Sequence, residues 1–441
     1  MTRRIIRKVC YGATVDPATL KALYEDHVRA LERGYAKALA AAGYDAVVIA
    51  SGAPKKRSAF DDQYFPHRPT PELQHWVPVA DPGCFVVVEP GKKTVLVWPE
   101  VKDFWERPAP PESLHFMQAL DVRRVAKPSP PEGKRIAWIG EEHENPPSLT
   151  KELDALRVRK TDYEKACLAE ANRRAALGHE AVRRAFAESD RAELDLHLLY
   201  LGATRQDDQD APYKNIVALG RSASILHHVA YGRDATRAES CLLDAGAVYM
   251  GYCSDITRTW VKPGGQASSA FLKLLEAMEA MQKRLCERIV VGAPYEELHD
   301  ESHRQVSAIL KEAGIAKGSV EEIDAKGISR VFYPHGLGHS LGLQTHDVGC
   351  AVIEPKPENP FLRNTSKIEE GQVFTIEPGL YFIDALLAEL RSKPEGALVD
   401  WNTVEALAPL GGIRIEDDLL VTASGARNLT REVLPVGGGA V

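Results

Sequence analysis

The chain has no C-x-x-C pair, no apolar run of membrane-spanning length and no stripe of basic residues, and each absence removes a class of function. Its seven cysteines (Cys10, Cys84, Cys167, Cys241, Cys253, Cys286 and Cys350) are an odd set that cannot close completely into disulfides within one chain, so a reducing, cytoplasmic setting is expected. The basic start, Met1 to Lys8, is followed by no apolar region or small-residue cleavage site and does not read as a secretory signal. No stretch approaches the length of a membrane span, so no membrane partner is expected. A formal net charge of −7 with mixed signs argues against nucleic acid, which needs clustered cations to neutralise phosphates. Short repeats and low-complexity tracts are missing too, apart from a glycine-rich tail at 437–439.

What remains is 441 residues, 44% of them hydrophobic, enough for a large core and two or three domains. Helical spacing over Leu20 to Ala42 precedes strand patterns at Asp45–Ser51, Cys84–Glu89, Thr94–Trp98 and Arg135–Gly140, which indicate an α/β domain over residues 1–155. The proline-rich stretches at 107–111 and 127–131 read as loops within it. Thr161 with Glu164, and Asp190 with Glu193, have capping-box spacing and predict two helices opening a second domain over 156–441. Strands at 216–219 and 241–260, helices near 267–290 and 295–313, and strands at 372–383 and 412–422 then predict an α+β architecture there.

The chemistry lies in that second domain. Asp244 sits in the apolar run Cys241-Leu-Leu-Asp-Ala-Gly-Ala-Val, where an uncompensated carboxylate would cost several kcal/mol in desolvation. Asp255 follows eleven residues later. A hairpin turning around Tyr249 and Met250 would set the two opposite each other with Cβ atoms about 5 Å apart, a repulsion that a divalent ion would turn into ligation. Either aspartate alone could equally face solvent or cap a turn. His335, His339 and His346 stand in a run with four glycines that disfavours a helix, so a loop or irregular strand is expected. Glu377 precedes a proline at the end of a strand pattern. Arg414 and Glu416 share a strand face, which alone could mean a simple ion pair. Four carboxylates and one imidazole form an oxygen-rich set that favours Mn²⁺ or a similar ion. A pair of such ions about 3.5 Å apart serves hydrolysis.

The order and wording of the motifs resemble the pita-bread metallopeptidases, most closely the bacterial Xaa-Pro dipeptidases (prolidases) near the organophosphorus acid anhydrolase branch. The resemblance rests on Leu242-Leu-Asp-Ala-Gly-Ala, Tyr252-Cys-Ser-Asp-Ile-Thr-Arg-Thr-Trp, His335-Gly-Leu-Gly-His, Phe374-Thr-Ile-Glu-Pro-Gly-Leu-Tyr-Phe-Ile and Gly411-Gly-Ile-Arg-Ile-Glu-Asp. It extends into the first domain through Phe60-Asp-Asp and Trp76-Val-Pro-Val. It implies a pita-bread catalytic domain preceded by a smaller α/β domain. Two divalent metals, Mn²⁺ first with Co²⁺ and Zn²⁺ as alternatives, would be held by Asp244, Asp255, His339, Glu377 and Glu416, with Asp255 and Glu416 bridging. A bridging hydroxide would be the nucleophile and Glu377 the general base. The likeness further implies His227 and His346 as substrate and transition-state histidines and His335 as a pocket histidine. Arg363 and Arg414 would hold the carboxylate of an Xaa-Pro dipeptide, whose imide nitrogen offers no N–H to grip.

Tyr213, Leu362 and Trp105 match a small pocket in the organophosphorus-hydrolysing members, which raises a side activity on organophosphate esters or fluorides. Asp62 matches a residue that can reach a neighbouring subunit and so implies a homodimer. Three positions depart from the family pattern: His228 replaces a tyrosine, Ser340 stands where histidine is frequent, and Cys350 replaces a glycine. Competing readings are an aminopeptidase P acting on longer peptides, a creatinase, which lacks the metal ligands present here, and a non-catalytic peptide-binding module.

Overall fold

Asp16 stands just ahead of the first helical pattern, and in the computed structural model its carboxylate accepts from the Ala18 and Thr19 amides at 3.1 and 3.0 Å. It thereby caps helix α1 (Pro17–Ala42), which ends at Gly43 with φ 78°. The structure describes residues 16–100, 110–125, 135–140, 147–262 and 264–441. The stretch 127–131, most of 107–111, Cys10, Met1 to Lys8 and Trp105 lie outside them. Two compact units are present, Met1–Cys167 with Tyr249–Tyr252, and Leu168–Val248 with Cys253–Val441.

In the first unit, β1 (Ala46–Ala50), β2 (Phe85–Val88), β3 (Val95–Pro99), β4 (Asp121–Val125) and β5 (Ile136–Ile139) form one sheet in the order β4-β3-β2-β1-β5. The interior strand β1 is almost wholly buried, as its unbroken apolar run demands. Sequence reading missed β4, because Asp-Val-Arg-Arg-Val carries no apolar alternation; it is one of the two edge strands, parallel to β3, where charged side chains discourage further pairing. Helices α2 (Pro71–Gln74) and α3 (Pro147–Val158) complete the unit.

His27, His75 and Glu164 are buried together there, with candidate ligand atoms within 4.8 Å of one another. They form a closed set. His27 contacts Thr161 Oγ1 through Nδ1 at 2.8 Å and the His75 carbonyl through Nε2 at 2.7 Å, and His75 Nε2 lies 3.5 Å from Glu164 Oε1. Glu164 also accepts from the Thr161 amide at 2.7 Å, which makes the expected capping box at the start of α4 (Asp162–Glu188).

From Glu193 on, the elements follow the expected order: α5 (Glu193–Thr204), β6 (Ile216–Leu219), β7 (Ser240–Asp244), the short pair β8 (Val248–Tyr249) and β9 (Tyr252–Cys253), whose tip Tyr249–Tyr252 counts with the first unit, and β10 (Thr257–Val261). Then come α6 (Gln266–Glu287), α7 (Tyr295–Glu312), α8 (Val320–Ala325) and α9 (Ile328–Phe332), followed by β11 (Val373–Ile376) and β12 (Gly379–Tyr381). Helices α10 (Asp384–Ser392) and α11 (Trp401–Leu407) lead to β13 (Gly412–Arg414), β14 (Asp417–Thr422), β15 (Gly425–Asn428), α12 (Leu429–Val433) and β16 (Gly439–Ala440). Sheets β16-β10-β7-β6 and β11-β14-β15, with the pair β12-β13, supply the strand ends on which the candidate ligands sit. Phe271, Leu274, Met278 and Leu285 of α6 and Val306 and Leu310 of α7 pack with Phe374, Ile376, Ile413 and Leu419 of the strands in one large core. That core gives the strand ends a rigid backing.

Two local expectations fail. Asp190 does not cap α5: its N-cap is Ala192, without a side-chain bond, and Glu193 is the first helical residue, its carboxylate turned to other partners. The hairpin after β7 turns at Met250 and Gly251, both with positive φ (53° and 87°), as a two-residue turn matched to strand twist requires. Asp244 therefore pairs with Thr257 and not with Asp255. Among the described residues the cysteines are free thiols, and no helix is long and apolar enough to cross a membrane.

Candidate active site

The register error displaces Asp255 by two positions along the hairpin, which keeps it on the same face as Asp244. Gly246 makes this possible, because a Cβ there would stand 1.9 Å from the Ser254 carbonyl oxygen. The two aspartates meet at Tyr213. Its hydroxyl is 2.7 Å from Asp244 Oδ1 and also hydrogen-bonded to Asp255 Oδ1. One phenolic proton cannot serve two carboxylates, so this pair needs a further positive charge.

The histidine run is the irregular strand its glycines foretell. Leu341 N donates to Val373 O at 3.0 Å, Thr375 N to His339 O at 3.0 Å and Glu377 N to Leu337 O at 2.8 Å, so residues 337–341 lie along β11. Gly338 permits the approach, since a Cβ would fall 2.2 Å from the Thr375 carbonyl oxygen. His339 Nδ1 donates to Ser340 O at 3.0 Å, leaving Nε2 turned toward Asp255 Oδ2, Glu377 Oε1 and Glu416 Oε1 at 3.4, 3.5 and 3.9 Å. The ligand atoms of Asp255, His339 and Glu416 all lie within 4.8 Å of one another.

Arg414 closes the other side. It donates through Nη2 to Asp244 Oδ2 at 2.6 Å, through Nη1 to the Tyr381 hydroxyl at 2.9 Å and through Nε to Thr257 Oγ1 at 3.2 Å. Thr257 Oγ1 in turn donates to Glu416 Oε2 at 2.7 Å, and His335 Nε2 meets the Tyr381 hydroxyl at 2.8 Å. Behind Asp255, Asp418 Oδ2 accepts from the Asp255 amide at 3.1 Å and from Asn172 Nδ2 at 2.8 Å. Thr257, Tyr381, Asn172 and Asp418 were not singled out from sequence. Asp418 had a readable signal, a second acid beside Asp417 within an apolar strand; the other three are ordinary strand and helix residues.

The electrostatics agree with the geometry. Burial and neighbouring carboxylates raise Glu416, and burial, partly offset by Arg414, raises Asp244. Glu377 is pushed up to about 7 by burial and by the Asp255 and Asp244 charges, against the pull of His339 and Arg414. Burial would lower His339, but the Asp255 hydrogen bond and the Glu377 and Asp255 charges lift it to about 9. Burial is the largest influence on each of these groups, and the crowding of carboxylates adds to it in the three acids and opposes it in His339. The donor set fits divalent cations: hard carboxylate oxygens with one imidazole whose far nitrogen is fixed by a carbonyl.

Of the remaining predicted residues, His346 stacks edge-on against His339 with centroids 4.4 Å apart, and burial, then the His339 charge, lowers it to about 4. His227 is exposed on the segment after β6, within electrostatic range of His335 and His346. Arg363 is exposed and acts on His346 in the same way, while Leu362 packs into the large core. Ser340 and Cys350 are buried, and His228 bonds to Glu193 at 2.7 Å.

Residues 166–423 match the model of metallopeptidase family M24, and residues 22–161 match that of the Xaa-Pro dipeptidase N-terminal domain. The chain belongs to metallopeptidase family M24. Among its M24 relatives, a protein named Xaa-Pro dipeptidase from Marinobacter nauticus is 40% identical, covering 92% of this chain and 97% of its own. One of the same name from Pseudoalteromonas atlantica is 38% identical over 94% of this chain and 99% of its own. Among solved structures, proline aminopeptidase P II from Yersinia pestis superposes with a TM-score of 0.66 at 24% identity, covering 91% of this chain and 96% of its own. Aminopeptidase P from E. coli with the inhibitor Pro-Leu gives 0.66 at 22% identity, covering 96% of each chain. At these identities the two solved structures establish the M24 fold alone.

Proposed function

We propose that this M24 protein is an Xaa-Pro dipeptidase that uses two divalent cations, Mn²⁺ foremost, held by Asp244, Asp255, His339, Glu377 and Glu416. The observation that carries the reading is His339 Nε2 standing 3.4 to 3.9 Å from three separate carboxylates. Relatives named Xaa-Pro dipeptidase, alike over nearly the whole chain, support the substrate class. When bound, such a metal pair supplies Lewis-acid polarisation of the scissile carbonyl and activation of a water.

The chain's own residues do the rest. Arg414, with two N–H groups left after its three contacts, and the exposed Arg363 bind the dipeptide's carboxylate, which ends the substrate one residue past the bond to be cut. His346, neutral at pH 7, has an N–H to offer the developing oxyanion without adding charge. His227 approaches the same space from the segment after β6. Glu377, poised near neutrality, takes a proton on one side of the reaction and returns it to the departing proline nitrogen. Tyr213, beside Asp244 and Asp255, would shape the pocket for an organophosphate ester or fluoride as a side substrate, whereas Leu362 packs into the core. Asp62, exposed on the first unit's surface, is the residue through which a homodimer would form. A cytoplasmic setting accords with the free thiols.

Replacing a bridging ligand tests the centre. Asp255→Asn or Glu416→Gln should abolish hydrolysis of Gly-Pro in metal-supplemented buffer, and full activity in either would overturn the ligand assignment.

A further inference from the structure

Glu193 was expected to close a capping box. Instead its carboxylate is buried at the head of α5 and gathers three donors from the chain segment that carries His227. Leu219 N, at the end of β6, donates to Oε1 at 2.9 Å; Gly232 N and His228 Nε2 meet Oε2 at 2.8 and 2.7 Å. These donors, with burial working against them, hold the Glu193 carboxyl below its ordinary range, so it is an anion. The backbone repeats the tie: Leu194 N donates to Gly232 O at 3.1 Å and Thr236 N to Arg191 O at 3.1 Å.

The segment 219–236 is therefore fastened to the start of α5 at each end, by Leu219 and by Gly232 with Thr236. Between these ends, His228 reaches the same carboxylate. Its side-chain exposure is 11% and that of Glu193 is 7%, so the pair is shielded from water. His227, its neighbour, is exposed. A short loop with one imidazole fixed inward has little freedom left for the next one. Breaking the fixed bond would also leave Glu193 buried with a donor missing.

We propose that His228 is a positioning residue: through Glu193 it fixes the backbone of 225–232 and so sets where His227 meets the substrate. This rests on the substrate role assigned to His227 above. His228 touches neither the candidate metal ligands nor the substrate, and its effect passes through the loop.

The test is a double-mutant cycle on the metal-loaded full chain with Gly-Pro, with hydrogen exchange read in parallel. His228→Leu should lower kcat at least about tenfold, the scale of losing a charge-assisted bond. Metal content should be unchanged, and His228→Gln, which keeps an N–H donor, should recover most of the rate. In a His227→Ala background the same His228→Leu change should cost little more. Exchange of the 225–232 amides should rise about tenfold in His228→Leu while the 240–261 strands stay protected. An additive cycle, or unchanged exchange over 225–232, overturns the proposal. If the parent protein does not cleave Gly-Pro, the dipeptidase reading fails, and the exchange result alone decides whether His228 fixes this loop.

Discussion

Arg414 Nη2 donates to Asp244 Oδ2 at 2.6 Å, so a residue assigned to substrate also neutralises a candidate metal ligand. Both side chains are buried. Removing the guanidinium leaves the Asp244 carboxylate with the Tyr213 hydroxyl but without its counter-cation, a loss of about 3–5 kcal/mol in comparable buried pairs. Arg414→Ala should therefore destabilise the chelator-treated protein strongly, and added Mn²⁺ should recover more stability than in the parent. Denaturant midpoints with and without metal measure this. Equal recovery in both proteins would contradict the pairing, and for activity the main effect should be a raised KM.

Tyr213 predicts a related but smaller effect. Its hydroxyl stands between Asp244 and Asp255, so Tyr213→Phe removes a donor within reach of both carboxylates. The chelator-treated protein should lose about 1–3 kcal/mol, the usual cost of a buried acceptor left unsatisfied. Urea unfolding of that form is the check, and no change would mean that the phenol is not needed there.

Directly behind Glu416, whose carbonyl accepts from Arg258 Nη1 at 2.8 Å, Arg258 and Asp417 form a pair at 2.8 Å with neither side chain exposed, and Arg431 adds a second cation to Asp417 at 2.7 Å. Burial works against the Asp417 carboxyl, but the two guanidinium groups hold it well below the usual range. Arg258→Met leaves Asp417 with Arg431, Asn428 and Gln282 and should cost about 1–3 kcal/mol in unfolding free energy. A calorimetric loss under about 1 kcal/mol would show the pair to be dispensable.

The pH dependence of stability follows from buried neutral histidines. Burial pushes His179 down to about 3, while its Nε2 meets the Ala245 carbonyl at 3.0 Å. Its folded value lies below the ordinary 6.5, so between these limits the unfolded chain binds the extra proton. The stabilisation is complete above pH 6.5 and is lost as pH falls toward 3, at about 1.4 kcal/mol per pH unit. His179→Gln cannot take that proton and should flatten the decline between pH 6 and 4 in urea titrations. An unchanged slope would show that His179 does not titrate on unfolding.

Much of this site was legible because charge inside apolar sequence is costly and therefore informative. Asp244 among leucines, Glu377 before a proline and Glu416 between an isoleucine and an aspartate pair all announced themselves in this way. Register was less accessible. Placing the turn one residue early sufficed to pair Asp244 with Asp255, and only the positive φ of Met250 beside Gly251 shows the true centre. The spacing of Asp190 and Glu193 satisfied a local rule that tertiary partners overrode, since three donors distant in sequence claim the glutamate. Thr257 and Tyr381 were invisible for another reason: a threonine and a tyrosine in strands are ordinary, and their roles arise only when Arg414 folds against them.

Gly-Pro hydrolysis before and after metal removal, with a tripeptide carrying proline second measured alongside, decides whether this chain is a metal-dependent dipeptidase. The Mn²⁺-loaded protein should cleave Gly-Pro faster than the tripeptide, lose that activity on chelation and regain it when Mn²⁺ is restored. Failure to cleave Gly-Pro when loaded, or cleavage that chelation leaves untouched, would show that it is not.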